Sequence, residues 1–275
     1  MAPSPTVTLN DGVEIPQLGF GVYKVPADEA EAVVSTALEV GYRHIDTAKL
    51  YDNEEGVGRA VRSSGIPRDE LFVTTKIWND DHGYDEALAA FDASMARLGL
   101  DVLDLLLIHW PCPSQDRYVD TWRALERLQA DGRVRSIGVS NFHVHHLHRL
   151  MAEAPVVPSI NQVELHPLLP QQELRMFDAA HGIATEAWSP LARGALLDDP
   201  VIGAIAARIG RTVTQVVIAW HLALGNVVIP KSVTPARIAE NFDVLDIELT
   251  EDDVARITAL GRTERRLGAD PDDLG

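Results

Sequence analysis

Val102-Leu-Asp-Leu-Leu-Leu-Ile108 is almost uninterrupted apolar sequence, broken only by Asp104. A strand of this composition has no face for water, so it belongs in a parallel sheet covered on both sides. Working outward, similar short β-branched or aliphatic runs stand at 17–20, 43–46, 71–76, 134–139, 159–163, 183–187 and 227–230. With the run at 102–109 they make eight strands. Helical periodicity fills the gaps at 28–40, 53–63, 84–98, 117–130, 144–152 and 171–181, then at 212–224 and 235–245. Strands alternating with helices at this spacing predict a parallel α/β architecture. Eight such units in about 260 residues fit a closed (β/α)8 TIM barrel.

The competing architecture is a doubly wound open sheet, which usually announces a dinucleotide site with G-x-G-x-x-G in its first βα turn. Gly19-Phe-Gly21-Val-Tyr-Lys24 has two of those three glycines, and Gly56-x-Gly58 falls inside a helical pattern. The barrel is therefore expected, as one domain over 1–275. Residues 6–9 and 13–15, joined by Asp11-Gly12, read as an N-terminal β-hairpin plugging the barrel bottom. The charged tail 262–275 reads as an irregular loop over one end.

The net charge of −17 argues against a general nucleic-acid or anionic-membrane binder, because phosphate contacts need Lys and Arg. A small anionic ligand remains possible, since a local basic patch suffices. Cys112 is the only cysteine, which excludes an internal disulfide and suits a reducing cytoplasm. The opening Met1-Ala-Pro-Ser-Pro-Thr has no basic start and no apolar run, so no signal peptide is expected there. No stretch approaches 18 uninterrupted apolar residues, so no membrane span is expected. A monomer in the cytoplasm is the expected form.

Catalytic groups of such barrels come from the C-terminal ends of strands. Three runs end on an ionisable residue: Asp46 after Arg43-His-Ile, Lys76 after Leu71-Phe-Val-Thr-Thr, and His109 after Leu105-Leu-Leu-Ile. Singly, Asp46 reads equally as a cap, Lys76 as a side chain snorkelling from the rim, and His109 as a satisfied core histidine. Three on successive strands at the same end point to a site. Tyr51 follows Asp46 by five residues, on a short loop over the barrel mouth. A free tyrosine has a pKa near 10. A neighbouring lysine ammonium lowers it, and a carboxylate keeps the lysine charged and aimed. Asp46, Tyr51, Lys76 and His109 thus read as a tuned proton donor with a second polar group.

The chain resembles the aldo-keto reductases, and within them the bacterial branch of the 2,5-diketo-D-gluconate reductases. The resemblance rests on Leu18-Gly-Phe-Gly-Val-Tyr-Lys24, Gly41-Tyr-Arg-His-Ile-Asp-Thr-Ala48, Thr75-Lys-Ile-Trp78, Ile137-Gly-Val-Ser-Asn-Phe142, Asn161-Gln-Val-Glu-Leu-His-Pro167 and Ile229-Pro-Lys-Ser232. It implies a catalytic tetrad at Asp46, Tyr51, Lys76 and His109. It implies NADPH-dependent reduction of small aldehydes, ketones and dicarbonyls to alcohols, with a sugar-ketone reductase or a binding or structural member of the fold as alternatives. It further implies that Ser140, Asn141 and Gln162 hold the nicotinamide carboxamide while Trp188 stacks on the ring. Many members have tyrosine at that last position. Ser189, Leu191 and Gly194 match the loop covering the pyrophosphate, and Gly21, Val22, Ile229 and Val233 add cofactor contacts. Phe20, Tyr23, Trp78, His109 and Trp110 are expected to line the substrate mouth, whose aromatic walls favour small, flat carbonyls.

A phosphate site can be read from the residues themselves. After the run at 227–230 come Lys231-Ser-Val-Thr-Pro-Ala-Arg237. Thr234 is a good N-cap and Pro235 a good first-turn residue, so a helix should start there with exposed amides that attract an anion. Lys231, Ser232 and Arg237 surround that start. The resemblance agrees, implying that these positions hold the adenosine 2′-phosphate, with Glu240 and Asn241 near the adenine. Two features read as incidental. His143, His145, His146 and His148 lack the Cys or carboxylate partners zinc sites usually add, so a solvated helix start and no metal are expected. Cys112 has no oxyanion-hole or G-x-S-x-G motif beside it, so no nucleophilic role is expected.

Overall fold

The computed structural model describes residues 4–262 and 265–274. The start of the leader reading, residues 1–3, and positions 263, 264 and 275 of the tail lie outside the described residues. Strands β1 (Thr6–Thr8) and β2 (Glu14–Pro16) pair antiparallel as the expected hairpin. Gly12 supplies the turn with φ of 84°, a left-handed conformation that costs glycine little. The barrel strands follow: β3 (Phe20–Gly21), β4 (His44–Asp46), β5 (Phe72–Ile77), β6 (Leu103–Ile108), β7 (Val134–Ser140), β8 (Ile160–Glu164), β9 (Ala184–Trp188) and β10 (Val227–Val228). Each pairs in parallel with its neighbour in chain order. The ring closes through a parallel bridge between Leu18 and Val228. Gln17 Nε2 reinforces the seam by donating to Asn226 O, 209 residues on, at 3.1 Å.

Around the barrel run α1 (Ala30–Val40), α2 (Glu54–Ser63), α3 (Tyr84–Leu98), α4 (Tyr118–Ala130), α5 (Val144–Glu153), α6 (Gln172–Ala180), α7 (Pro200–Ile209), α8 (Val213–Ala223), α9 (Pro235–Phe242) and α10 (Glu251–Thr258). Two of these, α7 and α10, were not anticipated. Both carry readable start signals. Asp199 accepts from Val201 N and Ile202 N with Pro200 at the first turn, and Thr250 forms a reciprocal capping box with Asp253. Among the described residues no single helix is long and apolar enough to cross a membrane.

Alternation along the strands explains how one barrel holds both a core and a site. Every second residue faces inward. The inward series of β5 is Phe72, Thr74, Lys76; that of β6 runs Leu105, Leu107, His109; those of β8 and β9 run Ile160, Gln162, Glu164 and Ala184, Glu186, Trp188. The lower members pack with Leu9 and Ile15 of the hairpin into an apolar plug. The upper members are polar, so the interior changes from oil to hydrogen bonds along its axis. The outward phase, Leu106 and Ile108 for β6, joins the larger core beneath the helices. Gly138 on β7 is obligatory here, because a Cβ would stand 2.7 Å from Ile160 O and 2.8 Å from Leu107 Cδ2.

Candidate active site

At the C-terminal ends of the strands lies a cavity of about 540 Å³. Lys76 is buried behind it, and its ammonium spends all three hydrogens. Nζ donates to Asp46 Oδ1 at 2.7 Å, to Thr47 O at 2.9 Å and to Tyr51 Oη at 3.4 Å. Gln162 Nε2 bridges the next pair, donating to Asp46 Oδ2 and Glu186 Oε2, each at 2.8 Å. Tyr51 ends a short 3-10 turn, Lys49–Tyr51, and its ring stands edge-on to His109 with centroids 5.8 Å apart. Tyr51 and the three strand-end residues expected to act with it are therefore gathered by the fold.

Their electrostatics differ from the sequence reading in one respect. Burial pushes the Tyr51 phenol up to about 12, and the pull of Lys76 in the other direction does not overcome it. The expected lowering is corrected: desolvation of a phenolate outweighs one cation that Asp46 already neutralises. Burial disfavours the Lys76 ammonium, yet Asp46 and Tyr51 more than compensate and its pKa is raised. Burial, then Lys76, holds His109 well below the usual histidine range, so its imidazole is neutral at pH 7. Burial and the nearby Asp46 push the Glu186 carboxyl up. Burial likewise raises the Cys112 thiol to about 12, which leaves no thiolate nucleophile.

The cavity wall brings together Tyr23, Trp78, His109 and Trp110 of the expected substrate residues. Phe20 is corrected. It is one residue out of phase with the inward series, is fully buried, and packs on Tyr42 at 5.3 Å between barrel and helices. Val22 is likewise fully buried and does not line the cavity; its carbonyl accepts from Asn53 Nδ2 at 3.0 Å. Of the expected cofactor residues, Gly21, Ser140, Asn141, Gln162, Trp188, Ser189, Leu191, Ile229 and Lys231 line the cavity. Asn141 holds a left-handed φ of 63°, donates to His109 O at 3.0 Å and accepts from Trp188 Nε1 at 2.8 Å. That pair fixes the indole against the wall. Ser189 and Arg193 are also left-handed (φ 49° and 51°), which folds the loop carrying Gly194 around the opening.

The second group of residues expected to hold the cofactor surrounds the start of α9, and of these only Lys231 lines the cavity. Thr234 is the N-cap by backbone geometry, with Pro235 next, but its side chain makes no capping bond. Its own N–H is taken by Ser232 Oγ at 3.1 Å. Among the described residues neither Lys231 nor Arg237 has an ion-pair partner, although most other cations of this acidic chain do. Val233 is exposed there, Asn241 is buried, and Glu240 accepts from Thr212 Oγ1 at 2.7 Å.

Lining residues that sequence reasoning missed are Lys24, Leu50, Pro190, Arg193 and the tail residues Gly268, Ala269 and Leu274. The tail is latched by Glu164, a fully buried carboxylate accepting from Leu267 N at 2.6 Å and Gly268 N at 2.7 Å. Its place in the inward series of β8 was the signal available.

The aldo/keto reductase family model matches residues 17–262. The chain belongs to the aldo/keto reductase family. It is 52% identical over 270 residues to a glyoxal reductase of Bacillus subtilis, covering 98% of this chain and 97% of the relative. It is 50% identical over 277 residues to methylglyoxal reductase DkgA of Escherichia coli, covering both chains in full. A crystal structure of a Gox0644 mutant in complex with NADPH superposes with a TM-score of 0.96 at 48% identity, over all of both chains. The barrel, the oxidoreductase class and NADPH as cofactor, all expected from the sequence, stand on these findings. The site's own features fit that cofactor: an aromatic face at Trp188, amides at Asn141 and Gln162, and, near the start of α9, Lys231 and Arg237, which have no ion-pair partner among the described residues.

Proposed function

We propose that this single-domain enzyme reduces small aldehydes, ketones and α-dicarbonyls, with Tyr51 protonating the carbonyl oxygen. One observation carries the reading. Lys76 gives a hydrogen to Tyr51 Oη and has none left, so the phenol's own hydrogen is the one free to be donated. A Tyr51 pKa near 12 keeps that hydrogen in place at pH 7, the state a general acid needs. The neutral His109 imidazole beside it serves as a second hydrogen-bonding group for the carbonyl oxygen. NADPH, when bound, supplies the hydride. Trp188, held by Asn141, offers the face on which the nicotinamide rests, while Ser140, Asn141 and Gln162 orient its amide. Lys231, Ser232 and Arg237 take the 2′-phosphate. Tyr23, Trp78 and Trp110 form an aromatic wall that selects by shape more than by hydrogen bonding, so broad specificity with high KM is expected. A monomer in a reducing compartment suits a chain whose lone thiol is buried.

The test is NADPH oxidation followed at 340 nm with methylglyoxal, a nitrobenzaldehyde and a diketo sugar acid, repeated with NADH. Turnover of the small carbonyls with NADPH is expected. A single sugar reduced at micromolar KM, with the small aldehydes inert, would overturn the substrate reading.

A further inference from the structure

The histidine-rich start of α5 gains from the fold the carboxylate that its sequence neighbourhood lacks. The tail returns Asp272, 129 residues beyond His143, to this helix end. Three imidazole nitrogens converge on the single oxygen Asp272 Oδ1: His143 Nδ1 at 3.2 Å, His145 Nε2 at 3.1 Å and His146 Nε2 at 3.4 Å. Two ligands held at 2.0–2.1 Å by a tetrahedral ion stand roughly 3.3 Å apart. All three nitrogen-to-oxygen separations therefore already match the edge of a zinc-sized tetrahedron. The four donor atoms lie within 4.8 Å of one another, so small rotations of the imidazoles complete the set.

A second observation points into the same space. His146 is 3% exposed, and among the described residues its Nε2 makes no hydrogen bond, its 3.4 Å approach to Asp272 Oδ1 being an ion-pair contact alone. Buried polar atoms are rarely left so.

We propose that His143, His145, His146 and Asp272 bind one zinc-class divalent ion, and that the ion fastens the C-terminal tail to α5. Imidazole nitrogen with one carboxylate suits zinc, nickel or copper better than magnesium or calcium. Ligation gives up the reciprocal capping box between His143 and His146, whose half from His143 N–H to His146 Nδ1 spans 3.1 Å, and the 3.3 Å contact between Arg266 and His143 Nε2. The same tail carries Gly268, Ala269 and Leu274 into the cavity wall. Fastening it at Asp272 thus steadies one side of the substrate mouth, whatever carbonyl enters.

Zinc chloride titrated calorimetrically into the metal-stripped full chain tests the site, with Asp272→Asn and His145→Ala alongside. Both side chains are well exposed, at 49% and 63%, so the variants should fold, as circular dichroism will verify. One zinc per chain is expected, at micromolar Kd or tighter, weakened at least about tenfold in either variant. Hydrogen exchange of residues 265–274 should slow on adding zinc to the wild type and not to Asp272→Asn. Absence of one-to-one binding, or Asp272→Asn binding within about threefold of wild type, overturns the site. Binding that leaves exchange in the tail unchanged overturns the fastening.

Discussion

The barrel interior around Lys76 and the start of α9 hold charge in opposite ways. In the interior every hydrogen of a buried ammonium has an acceptor, and Asp46 has a donor on each oxygen. At α9 two cations stand in solvent without a partner among the described residues. The Lys76–Asp46 pair has its partners before any ligand arrives, so its geometry is fixed at no further cost when reaction occurs. The second region is completed only by an anion, so its charge is held for recognition. Preorganisation for chemistry and availability for binding are thus separated along one cavity.

Removing one atom from the complete region should have the larger effect. Tyr51→Phe takes away the phenol hydrogen and keeps the ring. kcat for methylglyoxal reduction should fall by roughly 10²–10⁴-fold, with NADPH affinity unchanged by fluorescence titration. Activity within about twofold of wild type would remove Tyr51 from the chemistry and with it the contrast.

Arg237→Ala acts on the incomplete region. A hydrogen bond to a charged group is worth about 1.5–3 kcal/mol, and each 1.4 kcal/mol is tenfold in affinity. NADPH Kd should rise about tenfold or more while NADH Kd barely moves. Equal losses for both cofactors would show that Arg237 does not read the phosphate.

A smaller effect comes from a buried carboxylate that has no lysine. Asp178 on α6 is buried and bonded to Thr185 Oγ1 at 2.9 Å, and burial raises its pKa from 3.8 to about 7. The folded state then keeps a proton that the unfolded chain releases. Its stabilisation is present in full below about pH 4 and is lost as pH rises through 7. Asp178→Asn removes that dependence. The Tm of the wild type should therefore decline relative to the variant between pH 5 and pH 8. Parallel melting curves would show that burial does not hold a proton on Asp178.

The sequence disclosed what repeats or touches its neighbours. The apolar run before His109 and the threefold recurrence of an ionisable residue at a strand end are local patterns, and they pointed to the barrel and to four residues that the fold brings together. Phe20 was misplaced because a two-residue strand gives no alternation from which to read phase, whereas Gly21 beside it faces the cavity. The α7 start, Asp199-Pro200, carries a legible cap that the periodicity reading does not use. The lowering expected for Tyr51 failed because burial is a property of the whole fold, and no spacing reports it. Asp272 meeting His143, and Glu164 meeting Gly268, join residues more than a hundred positions apart through an irregular tail, where periodicity has nothing to say.

The seam between Leu18 and Val228 also sets an order of events in time. β3 is among the first barrel strands to leave the ribosome, and its second neighbour, β10, is among the last elements made. At about 5–20 residues per second, β3 waits roughly 10–40 s for that partner. Throughout that interval it is an open sheet edge, the kind that invites pairing with another chain. β3 is only two residues long, Phe20–Gly21, and so short an edge offers a stray strand little to grip. Brevity at the seam thus serves as protection during synthesis, while the finished ring relies on Gln17 and its bond to Asn226 to stay closed.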